Sequence, residues 1–475
     1  MENNPTRDQP LNEYWVIYQN SQGIDNRATL VRLSELVAVF EIYPAAGVLR
    51  VSEVLPVFSI LLSDKPVYSG RAVITSLVNT GSVCLCEVEL EGVWQDAATL
   101  ASAAPQELKD AFRQFLQTWQ TVYKIDPDFK ATVADMHAFL TEVRLWLEQL
   151  ELGIRSVPAG DRLKMERDMA AASSEVVIPM LTSLFDRFES AGANIKDEHL
   201  AAHRHFCQKQ LHPIVLCSPF LYRCFRKPLG YAGDYEVVNM MTRDPFEGSS
   251  LFAKVVNAWF LSQPPVQAHR NRIEYLEERI LDAVLRAKTK GRSARILSLG
   301  CGPAREVQGF LSKKDFSGQA TFTLIDFDQE TLEHVSARLG ELQSQFGRAA
   351  SIEVIKKSVN QLLKEAAKSV SRPPEQQYDL IYCAGLFDYL TDAICKRVSG
   401  LLYDWVCPGG LLILTNVDPS NPRQLTMAMM AEWHLVSRNG AQMSGLKPDR
   451  APSEQCAVKS DITGVNIYLH ATKPE

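Results

Sequence analysis

Hydrophobic positions recur with three different rhythms along the chain. From about Asn26 to Leu90 they alternate, with many β-branched residues. The run GRAVITSLVNTGSVCLCEVEL, with a turn at Asn79-Thr80-Gly81, predicts a hairpin in a small β-barrel or sandwich. From about Pro105 the apolar residues fall at three- and four-residue steps, as on one face of a helix. ELKDAFRQFLQTWQTVY, ATVADMHAFLTEVRLWLEQLEL, EVVIPMLTSLFDRFESAG and the stretch from His199 to Cys207 all read this way. This helical region runs to about Lys290. It is broken by the loop from Lys227 to Met241 and by Gln263-Pro264-Pro265, after which a new helix should start. Beyond Gly291 short apolar runs alternate with helical patterns: ARILSLG, ATFTLID, SIEVIKK, YDLIYCAG and GGLLILTNV. Such alternation predicts a parallel sheet covered on both faces. The expected organisation is α/β overall: a β-rich domain over 1–100, a helical linker and lid region over 101–290, and a sheet domain over 291–475.

The length of 475 residues agrees with two or three domains, since one core rarely serves so long a chain. The net charge of -6 argues against a general nucleic-acid binder. The N-terminal MENNPTRDQPLNEYW has no basic start followed by an apolar core, so no secretory signal is expected. Val54 to Leu62 is far shorter than the roughly 20 residues that span a bilayer. The ten cysteines lack zinc-finger spacing, and Cys84 and Cys86 share one face of a strand; they read as small buried hydrophobes of a cytoplasmic protein.

Chemistry concentrates in the last part. Ile296-Leu-Ser-Leu-Gly-Cys-Gly-Pro-Ala-Arg-Glu306 is a strand running into two glycines and then a helix. Glycines there permit a tight turn and close ligand approach. Arg305 stands where a dinucleotide fingerprint would want a third glycine, which argues against that fingerprint; a plain structural turn is the bland alternative. One helix and one strand later, TLID ends in Asp326, placed to accept both hydroxyls of a ribose. Such charge-assisted bonds are worth about 1.5–3 kcal/mol. The bland alternative is that Asp326 or Asp328 caps the next helix. A third strand end, Cys383-Ala384-Gly385, should face the same crevice, and Cys407-Pro-Gly-Gly opens the strand after it.

These four elements, in this order, resemble the class I S-adenosylmethionine-dependent methyltransferases over about Arg295 to Pro474. The resemblance implies a Rossmann-like sheet and S-adenosyl-L-methionine as cofactor. It places Gly300, Cys301 and Gly302 near the methionine part, Asp326 and Phe327 at the ribose and adenine edge, and Ser358 and Val359 near adenine. Cys383, Ala384 and Gly385 would flank the reacting methyl. The chain departs from the family at Ser298, where an acidic residue often stands.

Lys227-Pro-Leu-Gly-Tyr-Ala-Gly-Asp-Tyr-Glu236, Arg270-Asn271-Arg272 and Glu432-Trp433-His434-Leu435 resemble a bacterial methyltransferase group described as making 3-hydroxypalmitic acid methyl ester, a quorum-sensing signal. A lid over the cofactor would carry Tyr231, Asp234 and Tyr235; a helix cap followed by a surface turn is the alternative. Arg270 or Arg272 can grip a carboxylate of cofactor or substrate, or lie on a solvated helix face. A carboxylate acceptor is already charged at neutral pH and needs no base, so positioning can supply roughly 7–11 kcal/mol. Tyr235 is a further catalytic candidate. A hydroxyl acceptor would need a base, for which His434 and Asp388 are the candidates.

His199, His203 and His205 lack a metal-site arrangement and read as an exposed helix surface, so no metal is expected. The β-rich domain resembles a PilZ domain at Arg27, Arg32, Leu49-Arg-Val-Ser-Glu53 and Gly70–Thr75. The arginines are five rather than four apart, Arg50 and Leu55 replace the expected aspartate and glycine, and only Ser52 fits. The expected partner is a small-molecule acceptor, with no nucleic acid and no membrane span; a homodimer is open. The alternatives are a regulatory ligand-binding protein on a degenerate methyltransferase scaffold, or a methyltransferase of another natural-product acceptor.

Overall fold

The structure is a computed structural model. It describes residues 14–20, 23, 25–42, 49–62, 65–79, 84–94, 124–313, 318–366 and 377–475, with Lys109, Arg113 and Leu116. The tip of the expected hairpin at Thr80-Gly81 and nearly all of the expected helix over 107–123 lie outside these residues. The described residues fall into two compact units. One holds the β-rich strands and residues 196–203; the other holds residues 126–195 and 204–475.

In the first unit six antiparallel strands close into a barrel: β1 (Tyr14–Gln19), β2 (Asp25–Leu33), β3 (Val37–Ile42), β4 (Val54–Leu62), β5 (Lys65–Asn79) and β6 (Cys84–Trp94). Their order is β1-β2-β3-β6-β5-β4, with β1 and β4 sealing the seam. The alternating residues point inward, so Val16, Tyr18, Phe40, Phe58, Ile60, Tyr68, Ile74, Cys86 and Val88 form one core. Closure removes the exposed edges that an open sheet would leave.

The second unit begins with long helices: α1 (Pro127–Arg155), α2 (Ala159–Gly192), α3 (Asp197–Val215, part of this unit from residue 204), α4 (Pro219–Arg226), α5 (Tyr235–Thr242), α6 (Leu251–Ser262) and α7 (Pro264–Thr289). Asp126, Ser218 and Ser250 cap α1, α4 and α6 by accepting backbone N–H groups. Pro264 occupies the first turn of α7, as the Pro-Pro break predicts. The α7 residues Leu276, Ile280, Val284 and Ala287 are buried with Ala294 and Ile296 in one core.

The sheet that follows contains β7 (Ala294–Leu299), β8 (Ala320–Asp326), β9 (Ser351–Lys356), β10 (Tyr378–Cys383), β11 (Val406–Val417), β12 (Cys456–Ser460) and β13 (Asn466–Thr472). Its order is β12-β13-β11-β10-β7-β8-β9. The five strands foreseen from sequence pair in parallel. The sheet is nevertheless mixed, because β13 runs antiparallel beside β11 and carries β12 at its edge. Helices α8 (Arg305–Lys313), α9 (Gln329–Phe346), α10 (Val359–Ala366) and α11 (Asp392–Asp404) connect the parallel strands, and α12 (Gln424–Met430) and α13 (Gly440–Gly445) follow β11. The chain leaves β7 toward β8 on one side and returns to β10 on the other. That reversal opens a crevice beyond the carboxyl ends of β7 and β10, where ligands bind in such sheets. Among the described residues, no helix is long and apolar enough to cross a membrane.

Candidate functional site

The crevice is built from strand ends. β7 turns through Gly300 and Gly302, with φ of 69° and 51°. Glycine adopts these angles without strain, and a Cβ on Gly302 would meet nothing within 4 Å. The turn is pinned to the next strand: the N–H groups of Gly300 and Cys301 donate to the Ile325 carbonyl at 2.8 and 3.1 Å. Gly302 N–H donates to Asp326 Oδ2 at 3.1 Å, and Phe327 N–H donates to Asp326 Oδ1 at 2.8 Å. The helix-cap role belongs to Asp328, which accepts from the N–H and the hydroxyl of Thr331, both at 2.7 Å. Asp326 is left buried at the strand end against the glycine turn.

The Cys301 and Cys383 thiols are buried, and burial raises both well above the usual thiol range. At β10 the turn backbone at Ala384 and Gly385, rather than the Cys383 side chain, therefore borders the crevice. Gly385 N–H donates to Thr415 Oγ1 at 3.1 Å. At the end of β9, Ser358 and Gln361 cap one another reciprocally, and Val359 is buried. Ser298, where an acid is often found, lies beside a buried pair in which Tyr382 Oη donates to Glu306 Oε1 at 2.7 Å. A carboxyl thus reaches this region from α8 instead of from β7.

Arg272 stands at the same turn. It projects from α7 and is only 8% exposed, which overturns the solvated-face reading. Its guanidinium lies against the β10 turn: a Cβ on Gly385 would sit 3.3 Å from both terminal nitrogens. Its Nη2 donates to His269 Nδ1 at 2.8 Å. Among the described residues, no carboxylate forms an ion pair with it. Arg270, by contrast, donates Nε to the Met241 carbonyl at 2.6 Å and acts as a helix tie.

The loop between α4 and α5 packs over the strand ends. Lys227 ends α4 in a left-handed conformation, and Tyr231 lies with its ring centroid 5.5 Å from that of Phe327. A Cβ on Gly233 would be 2.9 Å from Tyr389 Oη and 3.0 Å from the Trp433 ring. Trp433 Nε1 donates to that same Tyr389 oxygen at 2.8 Å. Lys227 and Glu432 form a fully buried ion pair at 3.4 Å. The two motif segments 227–236 and 432–435 therefore meet at the 3-10 turn Phe387–Tyr389, just after β10.

Several expected site residues have other employment. Asp234 is fully buried; it caps α5 through Glu236 and Val237 N–H and pairs with Arg223 at 2.8 Å, so it anchors the loop. Tyr235 Oη donates to Glu330 at 2.9 Å, with its ring against His334. Desolvation, then Glu330, pushes its pKa up to about 12, which removes it as a base at neutral pH. His434 Nε2 lies 3.0 Å from Arg204 Nη1 and accepts from it. Burial, with Arg204 and Lys227 nearby, lowers its pKa to about 3, so its lone pair is occupied and weakly basic. Asp388 stays beside the crevice: Oδ1 accepts Val417 N–H at 2.7 Å, and burial raises its pKa while Arg272 and Arg438 pull it back.

Two further residues carry no obvious sequence signal. Arg438 is almost fully buried and donates to Asp392, Asn416 and the carbonyls of Phe387 and Leu390, clamping the turn after β10. His269 could have been found only as the i, i+3 neighbour of Arg272. Of the three histidines weighed as metal ligands, His203 is buried with Nδ1 donating to the His199 carbonyl at 2.8 Å, not surface-exposed, and His205 is exposed. In the barrel, Arg27 stacks 4.0 Å over Trp15, Arg32 pairs with Glu87 at 2.8 Å, and Ser52 is fully buried.

No family model matches the chain, and no curated protein matches it. Solved structures do show similarity. A protein of Bordetella parapertussis described as a possible exported protein is 19% identical over 54% of this chain and 86% of its own, with a TM-score of 0.40. The magnesium protoporphyrin IX methyltransferase of Synechocystis PCC 6803, solved with bound SAH, is 10% identical over 43% and 84%, at 0.31. An O-methyltransferase family protein of Burkholderia thailandensis is 14% identical over 59% and 74%, also at 0.31. Likenesses of this size lend the chain no activity.

Proposed function

We propose that the chain is an S-adenosylmethionine-dependent methyltransferase acting on a small-molecule acceptor. The observation that carries this reading is a buried arginine, ion-paired with no carboxylate among the described residues, at the mouth of a glycine turn that is pinned to an acidic strand end. A buried charge with no direct ion-pair partner is costly, so Arg272 is prepared for a carboxylate that arrives with a ligand. A nucleoside joined to an amino acid meets all three features. Asp326 accepts from the ribose hydroxyls, the open Gly300–Gly302 turn admits the chain between sugar and amino acid, and Arg272 pairs with the carboxylate. Phe327 and Tyr231 wall the base. When bound, S-adenosylmethionine supplies a methyl group activated on a sulfonium sulfur.

The acceptor side lies toward Tyr389, Trp433 and Asp388. The acceptor we favour is a carboxylate, such as that of a 3-hydroxy fatty acid, which would leave as its methyl ester. With Tyr235 and His434 unsuited as bases, this acceptor asks least of the site, because it arrives already ionised. The chain's work is then to orient the reactants and exclude water beneath the loop 227–236. For the barrel, a PilZ-like module serving protein contact accords with Arg32 engaged by Glu87 and Ser52 sealed in the core.

Calorimetric titration with S-adenosylmethionine tests the reading. Wild type should bind, and Asp326→Ala and Arg272→Met should each lose at least about tenfold in affinity, the worth of one charge-assisted hydrogen bond. Binding would then justify a mass-spectrometric screen of 3-hydroxy fatty acids for methyl esters. Well-folded wild type that fails to bind would overturn the reading.

A further inference from the structure

We infer that His269 is a positioning residue that holds Arg272 in the orientation needed to read the carboxylate of the ligand; the inference rests on the function proposed above. Three observations carry it. First, His269 and Arg272 are three residues apart on α7, so both project from one face of the helix. Second, Arg272 Nη2 donates to His269 Nδ1 at 2.8 Å, and this is the hydrogen bond that fixes the roll of the planar guanidinium. Third, the fixed plane lies close against Gly385, where an added Cβ would crowd both terminal nitrogens at 3.3 Å. An arginine side chain has several rotatable bonds, and freezing them costs free energy when a ligand binds. A partner that freezes them beforehand moves that cost from binding to folding.

The chemistry of the pair requires a neutral imidazole. Only an unprotonated Nδ1 can accept from the guanidinium, so the proton resides on Nε2. Burial, together with Arg272 and Arg270, holds His269 well below the ordinary histidine range, which keeps Nδ1 free to accept. A carboxylate in this place would also orient Arg272, but it would neutralise it. A neutral acceptor orients the charge and leaves it for the ligand. This distinguishes His269 from Glu306 and Asp388, carboxyls that influence Arg272 only from a distance.

The test compares two probes with the full-length protein. S-Adenosylhomocysteine carries the amino-acid carboxylate; 5′-methylthioadenosine has the same nucleoside and sulfur without it. His269→Phe keeps a ring of similar size and removes the acceptor. It should weaken S-adenosylhomocysteine about tenfold and leave 5′-methylthioadenosine within about twofold. His269→Asn, whose amide oxygen can accept from Arg272, should recover most of the lost affinity. Unchanged S-adenosylhomocysteine affinity in His269→Phe would overturn the inference while leaving the cofactor site intact. Equal loss of both probes, with no recovery in His269→Asn, would reduce His269 to a packing role and also overturn it. Wild type that binds neither probe would overturn the function itself, and this inference with it.

Discussion

Single residues in the crevice are constrained by contacts a sequence does not display. Gly233 is one. Its backbone angle does not demand glycine, but its surroundings do, because Tyr389 and Trp433 occupy the space a methyl group would need. Tyr389 cannot easily yield, since it is held by the Trp433 indole and is only 9% exposed. Gly233→Ala should therefore lift the loop from the strand ends. We expect at least about a tenfold loss of methyl transfer with little change in melting temperature, read from initial rates and calorimetry together. A variant that melts early yet turns over normally would show that the contact serves stability alone.

Among elements, the loop 227–236 and the segment 432–435 are joined by Lys227 and Glu432. Both side chains are fully buried, and both backbones are left-handed, with φ of 46° and 48°. Removing one partner of such a pair strands the other charge, which costs about 3–5 kcal/mol. Lys227→Met should lower the denaturant midpoint accordingly, and the double variant Lys227→Met/Glu432→Leu should regain much of the loss. If the double variant is no better than the single one, the pair does not act as a unit. Both segments stood out in the sequence, but nothing there showed that they touch. Two residues 205 apart meet only because α4 and the stretch after α12 both run to the end of β10.

At the scale of the whole molecule, burial has left several histidines neutral. His434 is lowered to about 3 and His470 to about 4, chiefly by desolvation, and His212 and His269 are lowered as well. An unfolded histidine takes up its proton near 6.5. Between that value and the lower folded values the unfolded chain binds more protons, so stability rises with pH there and falls on acidification. Raised carboxyls such as Glu306 and Asp388 act in the opposite sense, since they hold protons better when folded. Their window starts near the ordinary carboxyl value of about 4 and extends upward, so they oppose part of the histidine effect. The melting temperature should decline from pH 7 to pH 5, and His434→Asn/His470→Asn should flatten that slope. A flat profile in wild type would mean that these imidazoles protonate without unfolding the chain.

The sequence by itself determined the elements that depend on local pattern. The alternation over 26–90 became a barrel, the Pro-Pro break started α7, and the five apolar runs after Gly291 became parallel strands. It also marked Gly300, Gly302 and Asp326, because turn geometry and strand ends leave their trace in a few adjacent residues. Strands β12 and β13 escaped notice: β12 is a short, half-exposed edge strand, and β13 is paired antiparallel between it and β11. The tertiary structure alone decided which polar groups are free. Asp234, Tyr235 and His434 looked available as types, and folding gave each of them a partner: Arg223, Glu330 and Arg204. Arg270 and Arg272 looked equally able to grip a carboxylate; folding tied Arg270 to the Met241 carbonyl and buried Arg272 beside Gly385, with no ion-paired carboxylate among the described residues. Whether a side chain is engaged depends on groups brought from far along the chain, so only packing could separate the residues that hold the site together from those left to meet a ligand.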